Sequence, residues 1–345
     1  MAVGLPLKTT YANGDVYSAS DVNDTNGTVN LFTSSTLSVA GGKNCIINGG
    51  MDIWQRGTTF NSSTSFTADR WVVFPAAGTL NVTRSTDVPT SPYFSYSLQI
   101  AGVSSSGDIL RQRIESAQVT SLAGRTVTLS IYAKSTAGSA ALKWNTQIPS
   151  VTDNFTTVVQ DQSGTFSASL SGSWTRYTAT FTVSANAVRG YELRIFRDSS
   201  ASSNTTLITG VQIELGSAAT TFSPAGGTIQ GELAACQRYY QRNTVGTAYS
   251  GLTLTGSAGS TVAVFAPFSQ KVTMRVTPTS IDFASLLVSP DELSSSISVS
   301  SAVIAGLSTA DTVVIGCVVV GATQYRPYRV FANNTSGYIG VSAEL

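Results

Sequence analysis

The sequence contains no histidine, which limits the chemistry that its side chains can perform. Without histidine there is no Ser-His-Asp or Cys-His arrangement, no histidine metal site and no histidine proton shuttle. The three cysteines, Cys45, Cys236 and Cys317, lie far apart and form no C-x-x-C pair. We expect them to be buried thiols that form neither a zinc site nor a disulfide framework.

Carboxylates are the remaining candidates for catalysis. A glycosidase needs two of them across one groove, roughly 5–9.5 Å apart. Asp108, Glu115, Asp153 and Asp161 fall in no recognisable catalytic pattern. The sequence also lacks a phosphate-binding G-x-x-x-x-G-K-[ST] loop and a G-x-S-x-G nucleophile motif. We therefore expect a protein that is not an enzyme.

Aromatic residues in turn-like settings are better candidates for binding. Tyr93 and Tyr96 lie in the segment PYFSY, and Tyr325, Arg326 and Tyr328 lie in QYRPYR. A ring can stack on the CH-rich face of a sugar, and arginine can donate to its hydroxyls. Loop packing or a subunit interface would account for the same residues, so both interpretations stay open.

The composition favours strands as the elements that position these side chains. Only 11% of the residues are charged, 20 Lys and Arg nearly balance 19 Asp and Glu, and glycine occurs 30 times. The apolar residues come in short runs between clusters of Gly, Ser, Asn and Asp, which is typical of strands and turns. The balanced charge disfavours a nucleic-acid partner. No apolar run predicts membrane insertion, and the first residues lack a signal-peptide pattern.

Four segments follow one another along the chain. Residues 1–43 are rich in turn residues and read as a leader that cannot fold alone. Residues 44–222 contain closely spaced strands without intervening helices, which predicts an antiparallel jelly roll or β-sandwich. Residues 223–244 form a linker with one helix at 229–242, and residues 245–345 form a second, smaller β domain.

Two features predict surfaces that another element must cover. On the predicted helix, Leu233, Cys236, Gln237 and Tyr240 form one mostly apolar stripe. The strand TVVIGCVVV at 312–320 is apolar on consecutive residues, so we expect both of its faces to be buried, either between sheets or against another subunit. A low-charge chain with such faces is expected to form a homo-oligomer.

Three motifs occur in order between residue 44 and about residue 280. They are NCIINGGMDIWQRGT at 44–58 with TADRW at 67–71; QIELGS at 212–217 with TFSP at 221–224 and GELAACQRYY at 231–240; and MRVTPT at 274–279. Together they resemble a widespread group of tailed-phage virion proteins, the tail fibres and tail-fibre-like structural proteins. In the leader, YANGDV at 11–16 and ASDVN at 19–23 resemble a virion-attachment start.

The resemblance implies a virion component, assembled in the host cytoplasm, whose jelly roll is similar to carbohydrate-binding modules. It implies a tail fibre or receptor-binding fibre that recognises a host surface glycan. The alternative is a purely structural neck, baseplate or head-decoration fibre without ligand binding. It also implies a homotrimer, attached to other virion proteins through residues 1–43. Such attachment would leave the C-terminal domain outermost, so Tyr325, Arg326 and Tyr328 rank ahead of Tyr93 and Tyr96 as glycan contacts.

Modules of this kind often hold a structural calcium near the opening strand. In this sequence Gly50 stands where an acidic residue is often seen, and Asp52 follows it, so the resemblance leaves a calcium site open. Trp54 and Trp71 read as core residues of the sandwich, with a sugar platform as the alternative. We expect Arg56 or Arg70 to cover a ring and to pair with Asp52 or Asp69.

Overall fold

The computed structural model describes residues 43–61, 64–75, 80–102, 109–136, 141–166, 169–197, 205–291 and 295–345. Within these ranges the chain is built almost entirely from strands, which confirms the predicted all-β class. Residues 44–345 form one compact unit. The predictions for residues 1–42 lie outside the described part of the chain.

The first half of this unit is a sandwich of two six-stranded sheets. Its strands are β1 (Thr59–Asn61), β2 (Ser65–Phe66), β3 (Val72–Phe74), β4 (Leu80–Ser85), β5 (Ser97–Gly102), β6 (Ile109–Ile114), β7 (Thr126–Ser135), β8 (Leu142–Val151), β9 (Asn154–Thr165), β10 (Thr175–Thr182), β11 (Tyr191–Arg197) and β12 (Thr206–Leu215). The first sheet has the order β1-β4-β5-β12-β7-β10, and the second has the order β2-β3-β6-β11-β8-β9. The pairings are antiparallel, as a jelly roll requires.

Alternation along each strand decides which side chains enter the core. On β8, Leu142 and Trp144 point inward, whereas Lys143 and Asn145 lie on the outer face. The ring of Trp144 stacks on Phe181 of the opposite sheet, with centroids 4.6 Å apart. The period of two therefore buries apolar side chains between the sheets and leaves each outer face polar.

The described residues contain two α-helices, α1 (Ser116–Val119) and α2 (Ile229–Gln237), and two short 3₁₀ helices at Thr120–Leu122 and Ala185–Arg189. The Thr228 hydroxyl caps α2 by accepting a hydrogen bond from the Gly231 amide at 3.0 Å. The prediction that this helix continues to residue 242 is wrong, because the chain leaves it after Gln237 and enters a strand at Tyr240. Pairing with a strand near residue 340 outweighs the local helical pattern, so Tyr240 does not share a stripe with Leu233.

The remaining strands form a three-stranded and a seven-stranded sheet. They are β13 (Tyr240–Thr244), β14 (Gly251–Ser260), β15 (Ala263–Phe268), β16 (Ser280–Ala284), β17 (Leu286–Ser289), β18 (Ile297–Ser298), β19 (Ser301–Ile304), β20 (Val313–Val318), β21 (Pro327–Ala332) and β22 (Tyr338–Ser342). Their orders are β13-β22-β16 and β18-β17-β21-β14-β15-β20-β19. A second apolar core, drawn from residues between 252 and 343, lies apart from the sandwich core. The predicted domain boundaries at 222 and 244 remain predictions.

The apolar segment 312–320 has one buried and one outward face. Val313, Ile315 and Cys317 enter the second core, whereas Val320 is 79% exposed and Val318 is also exposed. The prediction that both faces are buried between sheets is therefore wrong within this chain, because the strand obeys the same alternation as its neighbours. Coverage by another subunit remains a prediction. Among the described residues, no helix has the length and apolarity to cross a membrane.

Candidate functional site

The first motif forms a buried hydrogen-bond network at the end of the sandwich. The Asn48 side chain donates to the carbonyls of Ile53 at 2.9 Å and Asp69 at 3.0 Å. Its oxygen accepts from the amides of Asp52 at 2.9 Å and Ile53 at 3.0 Å. The indole of Trp71 donates to the Asn48 carbonyl at 2.9 Å and is fully buried. The motif residues therefore stabilise a turn, and Trp71 is a core residue whose ring is not accessible to a sugar.

The helix α2 is tied to this turn by Glu232. Its carboxylate accepts hydrogen bonds from the amides of Asn48 and Gly226. Burial raises the pKa of Glu232, although the two backbone donors favour the ionised form. The first and second sequence motifs thus meet in space, and they serve to join the sandwich to the helix.

Two arginines of the first motifs reach the far end of the sequence. The guanidinium of Arg70 lies 3.4 Å from the ring centre of Tyr239, and that of Arg56 lies 3.5 Å from Tyr240. Both arginines form ion pairs with Glu344, and the distance from the Arg56 guanidinium to the Glu344 carboxylate is 3.3 Å. The prediction that these arginines cover rings is confirmed, but the predicted ion pairs with Asp52 or Asp69 are wrong. Burial raises the pKa of Asp69, whose oxygens accept from Gln55.

Trp54 is half-buried, in contrast to Trp71. Its ring stacks on Phe60 with a centroid distance of 6.3 Å, and its indole donates to the Met51 carbonyl at 2.6 Å. A sugar platform needs an accessible ring face, and Phe60 covers one of the two faces of Trp54. The packing interpretation accounts for this tryptophan.

The residues near the opening strand do not fit a calcium site. A Cβ atom at position 50 would lie 2.7 Å from a carboxylate oxygen of Asp52. An acidic residue at position 50 would therefore require the Asp52 side chain to move. Asp52 accepts from the Ser95 amide at 3.3 Å, and burial raises its pKa to about 6. The described residues contain no group of three or more acidic, Cys or His side chains that could hold a metal. The carboxylate ligands that Ca²⁺ requires do not converge there.

The aromatic residues predicted as glycan contacts have different surroundings. Tyr325 is 81% exposed with a positive φ of 64°, and Arg326 beside it is exposed. Tyr93 is 50% exposed, and Tyr96 lies half-buried under the Arg84 guanidinium at 4.2 Å. Among the described residues, no hydrogen bond or ring contact joins Tyr93 and Tyr96 to Tyr325 and Arg326.

The prediction that Tyr328 is a surface contact is wrong. It lies on β21, is only 2% exposed and packs in the second core. Its hydroxyl accepts a hydrogen bond from the Thr323 amide at 2.9 Å, which satisfies the polar end of the ring inside the fold. The QYRPYR segment looked like a loop because of its proline, but the strand begins at that residue, Pro327.

Of the carboxylates considered for catalysis, those that the structure describes are held by neighbouring donors. Glu115 pairs with Arg238 at 3.0 Å, Asp153 accepts from the Ser116 hydroxyl at 2.8 Å, and Asp161 accepts from the Tyr191 hydroxyl at 2.8 Å. Asp108 lies outside the described residues. These contacts give each carboxylate a structural role.

A candidate site that the sequence did not reveal lies on the outer face of the second sheet. On this face Arg111 of β6 stands opposite Arg194 of β11, which stands opposite Asn145 of β8. In the next row, Glu192 of β11 stands opposite Arg113 of β6 on one side and Gln147 of β8 on the other. Three adjacent strands therefore present guanidinium, carboxylate and amide groups side by side. We call these six side chains the polar face.

The charges of the polar face are unevenly paired. Glu192 is fully buried and accepts from Arg113 at 2.8 Å and from Arg194. Arg111 has a buried Nε atom without a hydrogen-bond partner, and its guanidinium lies 5.6 Å from the Phe74 ring. Burial and the like charges of Arg113 and Arg194 lower the pKa of Arg111, against the attraction of Glu192.

Two amides on the same face also have unused hydrogen-bonding capacity. The Asn145 Oδ1 and Gln147 Oε1 atoms are buried without a partner among the described residues. Buried polar atoms are normally paired, so unpaired ones mark a place where a ligand or water can complete the bonding. The sequence signal for this face was the alternation ILRQRI at 109–114, in which two arginines fall on outward positions.

A cavity and a groove adjoin one end of the polar face. The cavity has a volume of about 160 Å³ and is lined by Phe66, Arg70, Val72, Arg111, Arg113 and Leu345 among others. The groove is larger, about 430 Å³, and is lined by Asp153, Asn154, Phe155, Arg275 and Glu344 with Arg113. Arg113 and Leu345 border both, so the two spaces are neighbours. The site thus combines hydrogen-bonding groups, positive charge and apolar walls.

Fold and site together define an all-β sandwich protein with a polar sheet face bordered by an arginine-lined cavity. No protein-family model matches the chain, and no curated protein matches it. Among solved structures it is similar to the enzymatically active domain of tailspike protein 4 of bacteriophage CBA120, at 19% identity and a TM-score of 0.33 over 50% of this chain and 21% of that one.

Two further similar structures are labelled as sugar-binding. The first is a xylan-binding module of family CBM22 from Paenibacillus barcinonensis, at 18% identity and a TM-score of 0.31 over 46% of this chain and 95% of that one. The second is a putative sugar binding protein from Bacteroides thetaiotaomicron, at 12% identity and a TM-score of 0.35 over 50% of this chain and 100% of that one.

Proposed function

We propose that the chain is a non-catalytic phage virion protein, a tail fibre or receptor-binding fibre, whose sandwich recognises a host surface glycan. The observation that carries the proposal is the polar face, with its unpartnered groups on Arg111, Asn145 and Gln147. Amides and guanidiniums placed side by side match the closely spaced hydroxyls of a sugar chain. The three sequence motifs that resemble tail-fibre proteins support the virion part of the proposal.

The polar face ranks ahead of the exposed aromatics as the binding surface. It extends across three adjacent strands of a rigid sheet, and a surface of this kind holds its donors in place before a ligand arrives. Tyr325 and Arg326 remain an additional contact under this proposal, as do Tyr93 and Tyr96. Single rings would contribute only about 0.5–1.5 kcal/mol each beyond their area.

Replacing both amides of the polar face is expected to abolish glycan binding without unfolding the protein. The variant Asn145→Ala/Gln147→Ala removes two amide oxygens that have no hydrogen-bond partner among the described residues. It also removes the 3.4 Å hydrogen bond from Asn145 to the exposed Gln160, so the fold loses little. We expect at least a tenfold loss of affinity for surface polysaccharide purified from the host, measured by calorimetry. The matched control is Asn81→Ala, an exposed amide on β4 of the other sheet. Unchanged binding in the double variant, or equal loss in the control, would contradict the proposal.

The alternative of a purely structural fibre is favoured by a different surface. Phe265 of β15 and Val303 of β19 lie either side of Gly316 of β20 on the outward face of the seven-stranded sheet. Both are exposed, as are Val318 and Val320. Exposed apolar patches of this kind mark interaction sites. We name it the apolar face and propose that it supports the homotrimer implied by the resemblance.

Introducing a charge on the apolar face is expected to dissociate the oligomer. Val303→Asp places a carboxylate where the side chain is 48% exposed in the single chain, so the monomer fold tolerates it while a buried interface does not. Light scattering should show a trimer for the unchanged protein and a monomer for the variant. Val159→Asp, at a 63% exposed valine of the sandwich, is the control that should stay trimeric. A stable monomer at micromolar concentration without any substitution would refute the proposal.

We also propose that residues 1–43 dock onto another virion protein, which places the chain in the virion after assembly in the host cytoplasm. The segment has few large apolar side chains and many turn residues. Such a segment cannot offset roughly 1–2 kcal/mol of backbone entropy per residue on its own, so it needs a partner surface.

A further inference from the structure

Arg111 is the one arginine of the cavity for which the described residues supply no hydrogen bond or ion pair. Arg70 is paired with Glu344 and donates to the Arg113 carbonyl, and Arg113 is paired with Glu192. Glu192 is shared further with Arg194, and Glu344 with Arg56. Both carboxylates near the cavity are therefore already committed to two arginines each. Positive charge is in excess, and Arg111 carries it.

The surroundings make this unpaired charge unfavourable in the free protein. Arg194 stands directly opposite Arg111 in the sheet, and like charges in directly opposed positions destabilise a sheet. Burial of the Arg111 Nε atom without a partner adds a desolvation cost. A fold that keeps such an arrangement gains when an anion arrives, because the anion supplies both the missing charge and the missing acceptor.

The cavity beside Arg111 has room for one six-membered ring and is lined by positive charge. Its volume of about 160 Å³ is close to the ~150 Å³ that accommodates a six-membered benzene ring in a buried cavity. Phe66 and Val72 provide apolar wall, and Arg70, Arg111 and Arg113 are the described lining residues with charged side chains. Guanidinium groups bind carboxylate and phosphate in the bidentate geometry that neutral hydroxyls cannot match.

We propose that this cavity is a subsite for the anionic substituent of an acidic sugar, a uronate carboxylate or a sugar phosphate, with Arg111 as its ligand. The inference rests on the proposed glycan-binding function and deepens it by naming the class of glycan. The neighbouring amides Asn145 and Gln147 would then hold adjacent hydroxyls of the same chain. The charge would select acidic polymers, and the amides would set their direction across the sheet.

Three probes test the subsite by calorimetry on the full chain: oligogalacturonate, the same oligosaccharide with its carboxyl groups reduced, and glucose 6-phosphate. We expect the oligogalacturonate to bind at least tenfold more tightly than its neutral counterpart, with the difference shrinking as salt is raised. Binding of glucose 6-phosphate instead of the uronate would identify phosphate as the anion.

The variant Arg111→Gln should lose the preference for the acidic probe and gain thermal stability. The gain follows because the substitution removes a charge that is opposed by Arg194 and has no hydrogen bond or ion pair with the described residues. An arginine with a purely structural role would lower the melting temperature when replaced. Arg111→Lys should retain part of the preference, and Arg125→Gln, an exposed arginine in a turn before β7, is the control for net charge.

The outcomes separate the subsite from the proposed function. Equal binding of the acidic and reduced oligosaccharides, or unchanged selectivity in Arg111→Gln, would overturn the subsite and leave glycan binding standing. Failure of all three probes together with failure of host polysaccharide would overturn both. Selective binding that is lost in Arg111→Gln and kept in Arg125→Gln would establish the subsite.

Discussion

Replacing Trp71 by alanine is expected to lower the free energy of unfolding by about 3–5 kcal/mol, the range measured for large-to-small changes at buried aromatics. The ring is fully buried in the sandwich core, and its indole also satisfies the Asn48 carbonyl. The substitution therefore leaves a cavity and removes one of two hydrogen bonds that the Asn48 carbonyl accepts, the other coming from the Met51 amide at 3.1 Å. Urea titration followed by tryptophan fluorescence and circular dichroism would measure the loss.

Trp54→Ala is the matched control, since that ring is half-buried and stacked on Phe60. We expect it to cost clearly less than Trp71→Ala. The comparison also addresses the sugar-platform interpretation, because folded Trp71→Ala protein kept at low temperature should bind host polysaccharide as the unchanged protein does. Loss of binding with little loss of stability would show that Trp71 serves the ligand and would contradict the core assignment.

Asn48→Ala is expected to destabilise the protein by about 3 kcal/mol or more, since each buried group left without a partner costs roughly 1–3 kcal/mol. The side chain makes four hydrogen bonds with the segments around Ile53 and Asp69. The backbone at Asn48 has a φ of 55°, which asparagine tolerates better than alanine does. Thermal and urea unfolding would both report the loss.

Two further variants divide this effect into its parts. Asn48→Asp keeps the acceptor for the amides of Asp52 and Ile53 but loses both donors, and it should be intermediate or worse because it adds a buried charge. Asn48→Gly removes the side chain without backbone strain. The difference in unfolding free energy between the glycine and alanine variants therefore measures the cost of the positive φ for alanine. A loss near zero for both alanine and glycine would show that water replaces the network and that our account is wrong.

The strand content of the sandwich could be predicted from the sequence because alternation is a local property. The outward arginines of ILRQRI needed only the same period to be placed on one face. The pairing of Arg113 with Glu192 and the unpaired state of the Arg111 Nε atom depend on β11 and β8, which follow far along the chain. Glu344 could not be assigned to Arg56 and Arg70 for the same reason. The fold topology determines which residue pairs with a buried charge. The spacing of residues within one segment cannot predict that partner.

The errors in the second half have a common cause. Tyr240 continues a helical pattern, and Tyr328 follows a proline in a turn-like segment, but both enter strands that pair with distant ones. Strand pairing overrides local propensity where the partner strand is available and the side chain can be buried. The segment 312–320 follows the same alternation. Its consecutive apolar residues led to the wrong prediction that both faces are buried between sheets, whereas one face is exposed.

The ion pairs of Arg56 and Arg70 with Glu344 carry a consequence for synthesis. Glu344 is 288 positions after Arg56 and 274 after Arg70, so the carboxylate that neutralises the buried Arg70 is synthesised long after that arginine. At ~5–20 residues per second, the sandwich strands are complete on the order of ten seconds before that partner exists. During this interval the end of the sandwich holds an arginine without its counter-charge. The nascent sandwich thus carries an unneutralised charge at the motif residues until Glu344 is synthesised.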